Sequence, residues 1–386
     1  MKAVVFCHSL TSDFGHGAAH FLRGVVGELQ AAGHAVDVYE PEEGWSRKCL
    51  LADQGHAALV AFATRFPALR SRRYRPGEPN LDRALAGADV VLVDEWTDPA
   101  LVAAIGAHRA TRGTYRLLLH DGHHRALADR PGWDALELHC YDAALVGDAA
   151  LAEAYAGHPR CPHGVHLWPG AADLRVLDRR DRSAGFEPPP LSDLVWIGDF
   201  PDHEEEILEE LLLHPIRSLN LRATIYGVRY PARARTALAR AGADYRGYLP
   251  DHAVPWALVR ARVTIALPRR AGPPGGGGAD AAHASAAPPA AAPPPSYPFA
   301  ALACGVPVVS AAPDDGAALF EPGRDFLPAR SGREMAAQIA ALLADAAKAR
   351  ALALQGRATV LARHTCAHRV AALLEILRTL DVREAA

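Results

Sequence analysis

The chain has 386 residues, half of them hydrophobic and 22% charged, with a formal net charge of -3 at pH 7. That length exceeds one ordinary core and fits two domains of roughly 150–200 residues each. The near-neutral balance excludes a broad electrostatic attraction for nucleic acid or an anionic membrane, and six cysteines with no C-x-x-C spacing exclude a zinc knuckle or a disulfide framework.

The chain opens MKAVVFCHSL, an apolar run too short for a signal-peptide core and better suited to a first strand, Lys2–His8. No stretch of about 18 apolar residues follows that would cross a membrane, so a cytoplasmic protein is expected. A loop from Ser9 to Gly17 leads into a helix over 18–32, where Phe21, Leu22, Val25, Val26 and Leu29 recur at helical spacing before Gly33. Ala35–Tyr39 is a second strand that ends at Glu40, where Rossmann-like folds often carry an acid. Further strands are expected at Asp89–Val93, Arg116–His120 and Ala143–Val146, with helices over 52–66, 80–86 and 98–109. This alternation predicts an α/β domain over 1–177, with about five parallel strands in a doubly wound sheet.

Residues 178–190, DRRDRSAGFEPPP, combine charge with consecutive prolines and read as a linker. The same alternation then restarts: strand Asp193–Ile197, helix Glu204–Leu213, strand Arg222–Tyr226 and a helix over 232–241. A second Rossmann-like domain is expected over 191–365, and residues 366–386 form an amphipathic closing helix suited to core packing. Within the second domain, residues 271–296 are almost wholly Ala, Gly and Pro, the composition of a disordered loop. After it, FAALACGVPVVS at 299–310 encodes a short helix, a glycine able to end it in the left-handed conformation, and a buried strand. In such open sheets, ligands sit beyond the carboxyl ends of the strands, which makes a crevice between two facing domains the default site.

Several residues there could carry chemistry. Gly15 and Gly17 precede a helix, where bare backbone can approach a diphosphate or an acceptor. His120 and Asp121, with His123 and His124, stand at the end of an apolar strand, and histidine alone titrates near neutrality. Metal binding by this histidine-rich run is a weaker alternative, because neighbouring histidines on one turn do not converge on one ion. The adjacent pair Asp94 and Glu95 ends another strand, where helix capping or hydroxyl binding competes with catalysis. In the second half, Gly198 follows a strand and would let backbone approach a phosphate, while Arg229 and Arg269 offer the forked guanidinium that binds phosphate in two parallel hydrogen bonds.

The segment PFAALACGVPVV resembles the corresponding motif of GT-B glycosyltransferases of the group-1, family-4-like kind. The resemblance continues in order through DLVWIGDF at 193–200, IYGVRY at 225–230, YRGYLP at 245–250, VTIALPRR at 263–270 and LFEPGRDFL at 319–327. It implies two Rossmann-like domains facing across a cleft and transfer of a sugar from a nucleotide-diphospho sugar to a hydroxyl acceptor. It also implies retention of anomeric configuration and no metal or other cofactor. His120 would contact the donor sugar with Asp121 orienting its ring, Gly198 would lie against the diphosphate, Gly247, Tyr248 and Leu249 would border the nucleobase, and Ala301 and Leu302 would present amides. One departure stands out: the acidic pair of that kind falls at Ala292 and Ala300. Two alternatives therefore stand beside the transferase, a binding or scaffold protein descended from one and a sugar-nucleotide epimerase of the same architecture. The donor base, the donor sugar, the acceptor and the oligomeric state are not encoded in any motif.

Overall fold

Short runs of Val, Leu, Ile and Ala, bounded by polar turns, form parallel strands in the computed structural model. It describes residues 1–17, 19–75, 77, 79–122, 125–128, 130–158, 162–177, 190–200, 205–267, 299–311 and 319–385. The first sheet is built from β1 (Lys2–Phe6), β2 (Ala35–Pro41), β3 (Arg72–Tyr74), β4 (Val90–Asp94), β5 (Arg116–Asp121), β6 (Ala143–Val146) and β7 (Val165–Leu167). Every pairing is parallel, in the order β3-β2-β1-β4-β5-β6-β7. The five inner strands match the expected ones to within two residues at each end. The two extra strands lie at the edges, three residues each, and their sequences RRY and VHL lack the apolar run that marks a buried strand.

The second sheet comprises β8 (Ser192–Ile197), β9 (Ala223–Tyr226), β10 (Asp244–Gly247), β11 (Ala261–Ala266), β12 (Val308–Ser310) and β13 (Leu327–Pro328). Its strands are also parallel, in the order β10-β9-β8-β11-β12-β13. Each order reverses once, between β1 and β4 in the first sheet and between β8 and β11 in the second. Such a reversal leaves a crevice at the carboxyl ends of the two diverging strands.

The helices follow local chemistry. The expected helix over 52–66 is two, Trp45–Gln54 and Ala57–Arg65, because Gly55 takes φ 68° between them. The helix that begins at Glu205 passes through a π turn at Glu209–Leu213 and runs on to Leu219. The helix Phe299–Ala303 ends at Gly305, whose φ is 68°, with Gly305 N–H donating to Leu302 O at 2.9 Å and Val306 N–H to Ala301 O at 3.1 Å. This paired arrangement satisfies the last carbonyls and turns the chain into β12.

The described residues divide into two compact units: one from Met1–Gly170 with Cys366–Ala386, the other from those within Ala171–Arg270 and Ala290–Thr365. The helix Leu174–Leu177, inside the first expected domain, thus packs in the second unit. The closing helix, Cys366–Ala385, belongs to the first unit, where it packs on the helix Ala19–Ala31. Trp168 Nε1 donates to Arg369 O at 2.8 Å, and Arg369 Nε donates to Pro169 O at 2.7 Å. Burial pulls the Arg369 guanidinium below its usual range. All of the expected linker at 178–190 except Pro190, and the Ala/Gly/Pro tract at 271–296, lie outside the described residues.

Candidate functional site

In the first unit, the crevice between β1 and β4 is bordered by the loop that follows β1. Glu40, at the end of β2 and 1% exposed, holds that loop. Its carboxylate accepts hydrogen bonds from Ser9 Oγ at 3.0 Å, Leu10 N at 2.7 Å, Thr11 N at 3.2 Å and Thr11 Oγ1 at 2.9 Å, with Ser71 Oγ at 2.8 Å on the far side. An acid so engaged is a clamp for the loop, since its oxygens are already occupied. Further along, Arg23 and Asp13 form a buried pair at 3.0 Å, and Gly15 takes φ 59°. His16, between the two candidate glycines, is buried with its ring centroid 4.9 Å from that of His8.

His120 stands at the carboxyl end of β5, its ring 5.7 Å from Phe21 and 5.0 Å from Trp168. These rings, with Cys7, His16 and Asp94, line a cavity of about 20 Å³, room for one water or one hydroxyl. Gly122 sits close beside it: a Cβ there would come within 3.1 Å of His120 Cε1, so a side chain would press on the ring. Burial, reinforced by Glu40 and Asp94, pushes the Cys7 thiol well above its usual range and keeps it an unreactive wall.

Asp121 does not share this pocket. Successive residues of a strand face opposite sides, and Asp121 faces the far one. There it is fully buried and accepts from Tyr155 Oη at 3.0 Å, Arg125 N at 3.2 Å and Ala126 N at 3.3 Å. An acid that caps a helix and holds a tyrosine is badly placed to orient the His120 ring. The carboxylates beside that ring are Asp94 and Glu95, whose oxygens and an imidazole nitrogen all lie within 4.8 Å of one another. β4 and β5 pair in register here, Asp94 opposite His120, so the contact follows from sheet geometry. Backbone amides hold both acids: Asp94 Oδ1 accepts from Trp96 N at 2.9 Å and Glu95 Oε1 from Gly122 N at 3.2 Å. Such a trio can hold a cation or pass a proton, and the Arg125 guanidinium, bonded to the Glu95 carbonyl, opposes the cation. His123 and His124 lie outside the described residues.

In the second unit, the strand ends present backbone instead. Gly198 follows β8, where a Cβ would fall 2.5 Å from Trp196 Cζ2. Gly227 follows β9 with φ 147°, and a Cβ there would lie 2.0 Å from Gly198 O. Only a glycine at 227 lets these two segments approach so closely. Tyr230 Oη donates to Gly198 O at 2.9 Å, Tyr245 Oη donates to Gly227 O at 2.8 Å, and Asp199 Oδ1 accepts from Val228 N at 2.7 Å. The resulting frame carries Arg229 at φ 65°, a left-handed conformation unusual for any residue with a side chain.

Gly247, at the end of β10, is also left-handed, at φ 71°, and is followed by the half-buried Tyr248 and Leu249. Gly198, Arg229 and Gly247 thus sit at the ends of three neighbouring strands. Ala301 and Leu302 are buried in the helix that leads to β12, and Gly15 and Gly17 belong to the other unit. Arg269 and Ala292 lie outside the described residues, while Ala300 is half-buried in the short helix. Gly227 was not singled out by the sequence, although its place directly after a strand in IYGVRY is the signal for it.

Residues 205–375 match a family model described as glycosyl transferase-like. No curated protein matches the sequence. Among solved structures, the chain resembles a sucrose-phosphate synthase from Thermosynechococcus elongatus at 16% identity and a TM-score of 0.64, over 99% of this chain and all of that one. It resembles HepE of Anabaena, solved with UDP and glucose, at 12% identity and a TM-score of 0.63, over 98% of this chain and all of that one. A glycosyltransferase from Rickettsia africae is similar at 11% identity and a TM-score of 0.62, over 98% of each chain. At these identities, the likeness establishes the fold, which is GT-B.

Proposed function

From a GT-B fold whose second unit carries a glycosyl transferase-like sequence, we propose that this chain transfers a sugar from a nucleotide-diphospho sugar to a hydroxyl acceptor, with retention of configuration and without a metal. The observation that carries the reading is Arg229 in the left-handed region, at the mouth of a frame built from Gly198 and Gly227. Strained backbone of this kind costs about 1–3 kcal/mol and persists where surrounding structure imposes it, most often at ligand sites. Bare backbone at Gly198 and Gly247 lets a diphosphate approach, and the Arg229 guanidinium would offset its charge as the leaving group departs. HepE, with the same fold, was solved with UDP, which makes a uridine nucleotide the first donor to try.

In the first unit, His120 faces the reacting sugar in this reading, with a space for one hydroxyl beside it. Asp94 and Glu95 take the positioning role that Asp121 is badly placed to fill. The acceptor hydroxyl attacks the anomeric carbon on the face that the nucleoside diphosphate leaves, as retention requires; its proton goes toward this cluster, and the diphosphate departs with the electron pair of the broken glycosidic bond.

Calorimetry with uridine and guanosine diphospho sugars, followed by an assay of donor hydrolysis, tests the proposal. Micromolar binding with turnover is expected. Ala300, which has no carboxylate to hold a ribose or a sugar, favours a second reading as a binding protein without activity. A lost charged hydrogen bond costs about 1.5–3 kcal/mol, or roughly ten- to a hundredfold in affinity. Binding without hydrolysis or transfer would support that second reading, and absence of binding to every nucleotide sugar would overturn both.

A further inference from the structure

The closing helix, Cys366–Ala385, is docked by apolar residues: Val370, Leu373, Leu377 and Leu380 recur at helical spacing and are all buried. Arg369 beside them is buried too, at 8% exposure. A buried guanidinium carries a desolvation cost that an apolar residue in its place would not, so docking alone does not account for it. What it adds is direction. Arg369 Nε donates to Pro169 O at 2.7 Å and Nη2 to Gly170 O at 3.1 Å, while the Arg369 carbonyl accepts from Trp168 Nε1 at 2.8 Å. One residue thus holds the indole and the two carbonyls that follow it, across 201 positions of chain.

Trp168 sits where the sheet gives little support. It follows β7, a three-residue strand at the sheet edge, and its N–H is held by Val146 O at 2.7 Å. Its indole closes a triangle of rings. The centroid lies 5.0 Å from that of Phe21 and 5.0 Å from that of His120, with the imidazole at 86° to the indole plane, and Phe21 lies 5.7 Å from His120. All three rings line the cavity of about 20 Å³. In a close-packed space that holds one water, a shift of the indole passes to the imidazole or changes the cavity. Phe21 stands on the helix Ala19–Ala31, which packs on the same closing helix.

We propose that Arg369 is a positioning residue for His120, acting through the Trp168 indole. Its effect on turnover rests on the sugar-transfer reading, whereas the placement of the ring does not.

The test compares Arg369→Met, Arg369→Lys, Trp168→Phe and the double variant R369M/W168F in the full chain. The first readout is the imidazole C–H resonance of His120 by NMR, identified by its loss in His120→Ala. That resonance senses the ring current of the indole, so it should move in Arg369→Met and Trp168→Phe, and less in Arg369→Lys, which keeps the charge and loses the fork. The second readout is transfer kinetics with a uridine diphospho sugar. Arg369→Met should lower kcat about tenfold with the donor KM within about twofold, because misplacement from a distance acts on the reacting geometry. In the Trp168→Phe background the same substitution should lower kcat no further, since both act along one path. A residue that merely fastened the helix would lower the urea midpoint, leave the His120 resonance in place and lower activity in either background. An unmoved resonance in both Arg369 variants, or a fall in kcat that persists in Trp168→Phe, would overturn the proposal. Should Arg369→Met fail to fold, Arg369→Lys carries both readouts. Should no nucleotide sugar be turned over, the sugar-transfer reading fails and the resonance still decides the positioning.

Discussion

The carboxyl ends of the two sheets are furnished differently. In the first unit they present side chains that can exchange protons or bind hydroxyls: His120 and Asp94, which line a water-sized space, with Glu95 beside them. In the second they present a frame of glycine backbone with one strained arginine. The same strand order reversal therefore creates two kinds of crevice. Titratable groups suit proton transfer and recognition of a hydroxyl, whereas bare backbone and a guanidinium suit a diphosphate, which demands close approach and positive charge more than acid-base chemistry. The difference also predicts different sensitivities to mutation. In the second unit the glycine frame is itself part of the packing, so damage there should unfold; in the first the His120 cluster stands on a sheet that survives its loss.

The strongest expected effect comes from Gly227→Ala. The new methyl would overlap Gly198 O and would force a side chain into a backbone region nearly confined to glycine. The combined cost is about 4 kcal/mol, read as a lowered urea midpoint. Unchanged stability would mean that β8 and β9 are not locked together at their ends. Next is His120→Ala, which should lower sugar transfer by at least about a hundredfold, equivalent to about 2.7 kcal/mol, with the urea midpoint little changed. Glu95→Gln should weaken turnover less and alter its pH profile, an effect that mere packing would not produce. Asp121→Asn, by contrast, should act on stability, because its carboxylate holds Tyr155 and the start of a helix. If Asp121→Asn instead lowered turnover in a stable protein, the assignment of positioning to Asp94 and Glu95 would fail.

Arg229→Gly separates function from folding within the second unit. Relief of the left-handed backbone should raise stability by about 1 kcal/mol, while loss of the guanidinium should weaken uridine diphosphate binding by about tenfold. Both are measurable on one preparation, by urea titration and calorimetry. A variant less stable than the parent would show that Arg229 serves the fold rather than the ligand.

Much of this architecture was legible in the residues. VVLVD, RLLLHD and SDLVWI each hold a continuous apolar run, the pattern of strands buried on both faces, and each is a strand with a candidate residue at its carboxyl end. The edge strands escaped because pairing on one side needs no apolar run. The role of Asp121 was misread through adjacency: neighbours along a strand are the residues least able to touch, whereas Asp94, 26 positions away, is the register partner of His120. Arg229 carried a signal of charge but none of its left-handed conformation.

The weakest expected effect lies at the opposite end of the second sheet and completes the contrast. Asp193 is the second residue of β8, its carboxylate bridged by Arg222 through Nε at 3.2 Å and Nη2 at 3.1 Å, with Arg262 nearby at 3.7 Å. The Arg222 hydrogen bonds hold the Asp193 carboxyl below its usual range, opposed by partial burial. A folded-state value below the unfolded one means that the unfolded chain binds the proton more readily. The stabilisation is therefore present above the ordinary aspartate range, near pH 4, and is lost as pH falls through the depressed value. Asp193→Asn should remove this dependence: its urea midpoint should lie slightly below the parent's at neutral pH and converge with it in acid. Added salt should shrink the neutral-pH gap, because Arg222 is largely exposed. Uridine diphosphate affinity should not change, since the amino end of a parallel strand points away from the ligand crevice. A change in affinity without a change in the acid limb would place ligand contacts at the wrong end of β8 and would undo the division between the two ends of the sheet.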